Sequence, residues 1–170
     1  MKPKSDPDPI LARYMQGPAL LRRTLAGLDD TDLDSAPAKG GWTIRQIVHH
    51  IADGDDIWKA GIKQALGNEQ SEFSLEWYRV QTQDTWADRW AYQQRPIDTS
   101  LSLIEAIRGH VWQLLEHVPG GWDKSLGLRE PNGEIVNLSV GFIIEMQTDH
   151  LVHHVKQIEA IIHLTSDPMP

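Results

Sequence analysis

Five of the chain's eight histidines fall in two short stretches, His49-His50 and His150-Leu-Val-His153-His154. Two imidazoles four residues apart on a helix stand one above the other, within reach of a single ion. Neutral imidazole is a favoured ligand for divalent transition metals. The chain has no cysteine, so disulfides, thiolate ligands and a cysteine nucleophile are excluded. The chemistry open to such a pattern is that of a histidine-only metal centre, with three protein ligands and a fourth position for water or substrate. A lone inward histidine is more often a core residue bonded to backbone. A spaced pair with a third on another helix fits that reading poorly, because neutral rings buried without partners are costly.

Helical wheels, advanced about 100° per residue, choose among the candidates. On the last helix, counted from Phe142, the polar residues Glu145, Asp149, Lys156, Glu159 and His163 gather near ~310°. His150 and His154 lie at about 80° and about 120°, among Ile143, Ile161 and Ile158. His153, at about 20°, points to the polar edge. On the earlier helix, counted from Ile44, the residues Ile47, Val48, Ile51, Trp58 and Ile62 centre near ~340°. His50 falls at about 240°, beside Gly54, Ile57 and Gly61 on the flank of that stripe. His49, at about 140° between Asp53 and Asp56, reads as solvent-facing. The wheels therefore select His50, His150 and His154.

The elements that must position these rings are helices. A first helix is expected from about Pro9 to Leu28, kinked or broken at Gly17-Pro18. The acidic and then Pro/Gly-rich segment from Asp29 to Gly41 reads as a loop. Thr43 and Gln46 form a capping box that starts the second helix, which ends at Gly67-Asn68. Residues 69–97 have weak periodicity and read as a mobile connection with a short helix near Thr82–Tyr92. A third helix fits Thr99–His117, with the stripe Leu103, Ile107, Val111, Leu114 and Val118 and a cap from Asp98 or Thr99. Pro131-Asn-Gly133 between two strand-like runs signals a hairpin, and a last helix follows over Val140–Leu164. The expected fold is all-α: a single domain over 1–170, a four-helix bundle with a small β-hairpin inserted before the last helix. Residues 1–8 and 165–170 are expected to be flexible.

The net charge of −8 argues against nucleic-acid and anionic membrane surfaces, both of which need a basic patch. No run approaches a membrane span, and the opening MKPKSDPDP lacks the apolar stretch of a secretory signal. These features, with the absence of cysteine, are those expected of a cytoplasmic protein. Seven tryptophans against two phenylalanines place several indoles at the rims of packed surfaces, where the N–H finds a partner.

Two segments carry a family resemblance. Gly41-Trp-Thr-Ile-Arg-Gln-Ile-Val-His-His-Ile-Ala-Asp53 resembles the W-[ST]-[IV]-x-[EQ]-[IV]-[LV]-x-H-[LIV]-A-[DE] run that opens the second helix in the DinB/YfiT-like superfamily. His150-Leu-Val-His-His-Val-Lys-Gln-Ile158 resembles that family's H-x-x-[HR]-H-x-x-Q-[IL] run on the last helix. The resemblance implies an up-down-down-up bundle, often a homodimer, holding one divalent metal ion, nickel or zinc foremost, with manganese or iron as alternatives. By position it places the metal ligands on His50, His150 and His154, with His49 and His153 as non-ligand companions. It implies a metal-dependent hydrolase or a transferase that uses a low-molecular-weight thiol such as bacillithiol, mycothiol or glutathione. Where YfiT-like members often continue Ala-Asp-Ser-His, this chain has Ala52-Asp-Gly-Asp55, which removes a polar group near the site and bears on substrate identity.

No G-x-S-x-G elbow, phosphate loop or dinucleotide fingerprint occurs, so an activated water or an incoming thiol is the expected nucleophile, acting on a small-molecule substrate. Asp53 and Gln147 are the weak candidates for assisting it. Asp53 lies one turn from His50 on the wet side, and Gln147 points inward one turn before His150, where an interhelix hydrogen bond is the plainer role. Trp42, Trp58 and Trp112 are candidate pocket-lining residues, and His110 reads as structural. Two other readings compete: a non-catalytic metal-binding or dimerisation module, and a metal-free helical partner-binding protein.

Overall fold

In chain order the elements of the computed structural model are α1 (Pro9–Thr24), α2 (Asp30–Leu33), α3 (Ile44–Gly67), β1 (Glu72–Ser74), α4 (Glu76–Arg79), α5 (Gln83–Arg89), α6 (Asp98–His117), a 3-10 turn at Gly121–Asp123, β2 (Ser125–Arg129), β3 (Ile135–Ser139) and α7 (Val140–Ser166). The structure describes residues 9–166. The loose ends expected at 1–8 and 167–170 lie outside the described residues, whereas Thr165 and Ser166 belong to α7. The four long helices form the expected bundle. α1 and α3 each pack on both α6 and α7, so α1 and α3 occupy one diagonal of the bundle and α6 and α7 the other. No helix among the described residues is long and apolar enough to cross a membrane.

The local signals act as the side chains require. Thr43 accepts from the Gln46 N–H while the Gln46 side chain accepts from the Thr43 N–H at 2.9 Å, closing the box that starts α3. Asp29 and Asp32 form a second box, which turns part of the expected loop into α2. α6 begins without the cap expected from Asp98 or Thr99; its N-cap is Ile97, with no side-chain bond. None of the seven tryptophans is buried, as their rim role requires.

Of the kink or break expected at Gly17-Pro18, the break does not occur, since α1 runs through both residues. Proline has no N–H to give to the carbonyl four residues back, which leaves Tyr14 O free. Arg108 Nη1 donates to that oxygen at 2.9 Å. A Cβ on residue 17 would collide with the same Nη1, so glycine makes the room that the guanidinium fills. The two residues that signal a broken helix instead form a notch for an arginine from α6.

Arg108 sits in a polar layer between two apolar cores. One core holds Leu21, Val48, Ile51, Ile104, Leu151 and their neighbours. The other holds Tyr14, Ile62, Val111, Ile144 and theirs. Between the two, along each long helix in turn, stand Gly17-Pro18, Asp55, Arg108 and Gln147-Thr148.

The segment 69–97 is built from defined elements, not the expected irregular connection. β1 pairs in parallel with β2, Phe73 opposite Leu128, and β2 pairs with β3 across the predicted Asn132-Gly133 turn, where Gly133 takes φ +84°. The expected short helix near Thr82–Tyr92 is α5, capped by Thr82. Tyr78, Trp86 and Trp90 stack in sequence, with Trp86 and Trp90 centroids 4.7 Å apart. Trp86 Nε1 donates to Tyr78 O at 2.7 Å. This aromatic stack holds the segment across the bundle where α3 and α7 bring their histidines together.

Candidate metal centre

α3 and α7 meet along the flank where glycines replace bulk. A Cβ on Gly54 would stand 3.5 Å from His150 Cε1, in ordinary van der Waals contact, so the His150 ring packs directly against this small residue next to His50 on the wheel. His50 Nε2 lies 3.1 Å from His150 Nε2, and His154 Nε2 lies 3.1 Å from the same atom. The three rings stand steeply to one another, with interplanar angles of 69°, 83° and 86°. The structure thus brings together the three histidines that the wheels selected, and their ligand atoms all lie within 4.8 Å of one another.

This arrangement does not satisfy itself. The Nδ1 of His154 is 2.7 Å from Gln157 Oε1. An amide oxygen only accepts, so Nδ1 carries the proton and the Nε2 lone pair of His154 faces the cluster. If His150 Nε2 is also bare, lone pair meets lone pair at hydrogen-bond distance. If it carries the proton, His150 Nδ1 becomes a bare acceptor, and that atom is buried with no partner. The rings cannot escape by protonation. Burial, joined by the charge that His154 would carry, pushes His50 down to about 4 and His150 down to about 3. Burial also lowers His154, against the upward pull of its bond to Gln157. A cation accepting all three lone pairs resolves the conflict. Two nitrogens held about 2.1 Å from one ion at octahedral or tetrahedral angles stand about 3.0–3.4 Å apart, which is the spacing His150 Nε2 keeps to each of the other two. The residues present therefore fit a divalent ion.

The cluster is reached from two sides. A cleft of about 680 Å³ opens on the His154 side, lined by Trp42, Ile47, Gln157 and Ile161 among others. A smaller pocket of about 140 Å³ opens on the His50 and His150 side, lined by Ile57, Trp58, Tyr78 and Met146 among others. Gln83, at the start of α5, borders both. Trp42 stands edge-on to His50 with centroids 4.8 Å apart, and its Nε1 donates to Asp84 Oδ1 at 2.6 Å. Among the described residues lining the two spaces there is no serine, threonine, cysteine or lysine.

The remaining residues singled out by sequence fall as follows. Asp53 is half-buried and accepts a bond from the Tyr92 hydroxyl, away from the cluster. Gln147 is buried and its Nε2 donates to Gly54 O at 2.9 Å, the interhelix bond expected of it. His153 is exposed at the polar edge and His110 is exposed on α6. Trp42 and Trp58 line the two spaces, while Trp112 borders neither. The solvent-facing reading of His49 is wrong. It is 1 % exposed, with Nε2 donating to Arg95 O at 3.0 Å and Nδ1 accepting from Ser100 Oγ at 2.8 Å. Its partners come from α6 and the residues just before it, which cover one side of α3 while α7 covers another, and the first nine residues of α3 are buried in an unbroken run. The wheel misplaced it because a helix packed on two sides has no single apolar stripe.

Sequence reasoning missed the pair beneath the centre. Arg108 donates from Nε to Asp55 Oδ2 at 2.7 Å, from Nη2 to Asp55 Oδ1 at 3.3 Å and from Nη2 to Gln147 O at 3.1 Å. Its guanidinium lies 4.4 Å from the centre of the Tyr14 ring. Burial pushes the Asp55 carboxyl up, and Arg108 pulls against it. The signals in the sequence were Asp55, at about 20° on the α3 wheel and so inside its apolar stripe, and Arg108, on the same face of α6 as Leu101 and Ile104.

Comparison with known proteins gives this geometry a lineage. A protein of Oceanobacillus iheyensis named "putative metal-dependent hydrolase" is 31% identical over 144 residues, covering 85% of this chain and 78% of its own. YfiT of Bacillus subtilis, which carries the same description, is 25% identical over 138 residues, covering 80% of this chain and 75% of its own. The solved YfiT structure, described as a probable metal-dependent hydrolase with an unusual four-helix bundle topology, superposes with a TM-score of 0.78 at 20% identity over 99% of this chain and 95% of that one. The model of the DinB superfamily matches residues 13–158, and the chain belongs to that superfamily.

Proposed function

We propose that this protein is a metal-dependent enzyme in which His50, His150 and His154 hold one divalent ion, nickel or zinc foremost. In this reading it activates water or a low-molecular-weight thiol against a small-molecule electrophile. The observation that carries the reading is the convergence of three neutral Nε2 atoms that cannot satisfy one another. When bound, a divalent ion supplies Lewis acidity, which lowers the pKa of an incoming water or thiol.

The chain's own residues supply the rest. Burial keeps the rings neutral and their lone pairs available through the physiological range. Gln157 holds the His154 proton on Nδ1 and so keeps Nε2 aimed inward. Trp42 packs on the open edge of His50 and sheds water from it. Among the described residues the lining offers no hydroxyl, thiol or amine nucleophile except the Tyr78 phenol, and its one carboxylate, Asp84, is held by the Trp42 indole N–H. Burial raises that phenol further from ionisation. The attacking group therefore comes from outside, and a mostly apolar cleft receives its partner.

Elemental analysis of tag-free protein, with ester hydrolysis and thiol consumption measured on wild type and His150→Ala, tests this. The reading expects a stoichiometric divalent metal and at least one activity, both lost in the variant. Metal-free wild type, or activity indifferent to His150, overturns it.

A further inference from the structure

The buried Arg108–Asp55 pair is expensive to keep. Two charges taken wholly out of water gain little over well-packed apolar residues of the same size, yet both side chains here are essentially unexposed. What the pair does have is position. Arg108 comes from α6 and binds Tyr14 O on α1, Asp55 on α3 and Gln147 O on α7, so one planar group touches all four long helices. Gly17 and Pro18 supply the space and the free carbonyl that seat it.

The contacts on α3 and α7 fall beside the metal centre. Asp55 adjoins Gly54, whose carbonyl accepts from Gln147 Nε2 at 2.9 Å. Gly54 lies one turn after His50, and Gln147 lies one turn before His150. The guanidinium thus clamps both ends of the strap that joins the two ligand-bearing helices. Sliding α7 by a single residue along α3 would carry His150 about 1.5 Å from its place and turn it by about 100°. An apolar layer would tolerate intermediate slips, whereas a planar fork bound to four oxygens on three other helices has one arrangement.

We infer that Arg108, with Asp55, is a positioning device for the metal centre: it fixes the register of α3 against α7 so that the three Nε2 atoms meet. The inference rests on the proposed metal site. It expects Asp55→Asn and Arg108→Lys to weaken cobalt(II) binding at least tenfold and to alter the d–d absorption band of the bound ion. Leu21→Ala, a core variant destabilised by cavity formation away from the strap, should keep both within about twofold. Gln147→Met cuts only the strap, keeps the ion pair and should also weaken binding. Melting of the metal-free proteins is measured alongside. If the pair variants melt lower but bind cobalt with unchanged affinity and spectrum, the inference is wrong. If they fail to fold, Gln147→Met decides in the same way. Wild type that binds no cobalt sinks the metal reading itself, a result distinct from variants that bind normally.

Discussion

Acidification should unfold the metal-free protein by way of its histidines, and the size of the effect follows from their burial. His50 and His150 ionise near 4 and near 3 in the folded chain, against an ordinary value of 6.5. Below pH 6.5 the unfolded chain takes up protons that the folded rings refuse, so stability falls as pH falls, down to the folded values. At pH 5 each ring costs about 2 kcal/mol by this linkage, or about 4 kcal/mol for the two, a large share of a typical total of about 5–15. The three rings touch, so they titrate as one unit and the slope belongs to the cluster. Asp53 and Asp55, whose carboxyls are raised by burial, work in the opposite direction at the acid end. They are common to wild type and variants, so a difference measurement removes them. Urea unfolding at pH 7.5 and pH 5, with chelator present, gives that difference between wild type and His150→Asn. The wild-type midpoint should drop by roughly 1 M more than the variant's, for a slope of about 2 kcal/mol per M. Parallel losses in the two proteins would refute the claim that buried, neutral imidazoles dominate the acid response.

Other outcomes follow from the same structure. A divalent ion at about a hundred times its dissociation constant should stabilise the fold by about 2.7 kcal/mol, or roughly 5–10 °C of melting temperature, and His154→Ala should abolish the shift in a calorimetric scan. Gly17→Ala drives a methyl into Arg108 and should cost about 2–4 kcal/mol. Gly109→Ala, on α6 with open space around it, should leave the melting temperature unchanged or raise it by up to about 1 kcal/mol equivalent; thermal melts of the pair decide both. Asp84→Ala frees the Trp42 indole N–H, and the resulting change in tryptophan emission reports whether that contact orders the mouth of the larger cleft.

Much of this molecule could be read before its coordinates. The Thr43/Gln46 box, the Asn132-Gly133 turn and the last-helix wheel each rest on a local rule that tertiary packing did not override. The wheel placed Glu145, Asp149, Lys156, Glu159 and His163 outside, and all are exposed. The three candidate ligands were legible because ligation needs small, countable residue types at helical spacing. His49 was not, because its burial comes from residues 95–100, far away in sequence. α1 continues through Gly17-Pro18 for a related reason: the cost of a proline inside a helix is local, and the arginine that offsets it arrives from α6. Asp55 falls inside the apolar stripe of its own helix, but the partner that neutralises it, Arg108, arrives from another element more than fifty residues later. β1 is three residues long and paired in parallel to a strand over fifty residues later, a pattern too short to announce itself.

The segment that spans the centre is fastened in two unlike ways. Its far edge is tied to the hairpin by Glu72–Arg129 and Arg79–Glu130, ion pairs that stand partly in water, and such attractions fade as electrolyte is added. Its inner side rests on stacked rings that electrolyte does not loosen. In brackish surroundings the outer moorings slacken first while the aromatic keel stays seated, so the rim of the smaller pocket, where Leu75 and Tyr78 stand, gains freedom before the nitrogens beneath it feel any change.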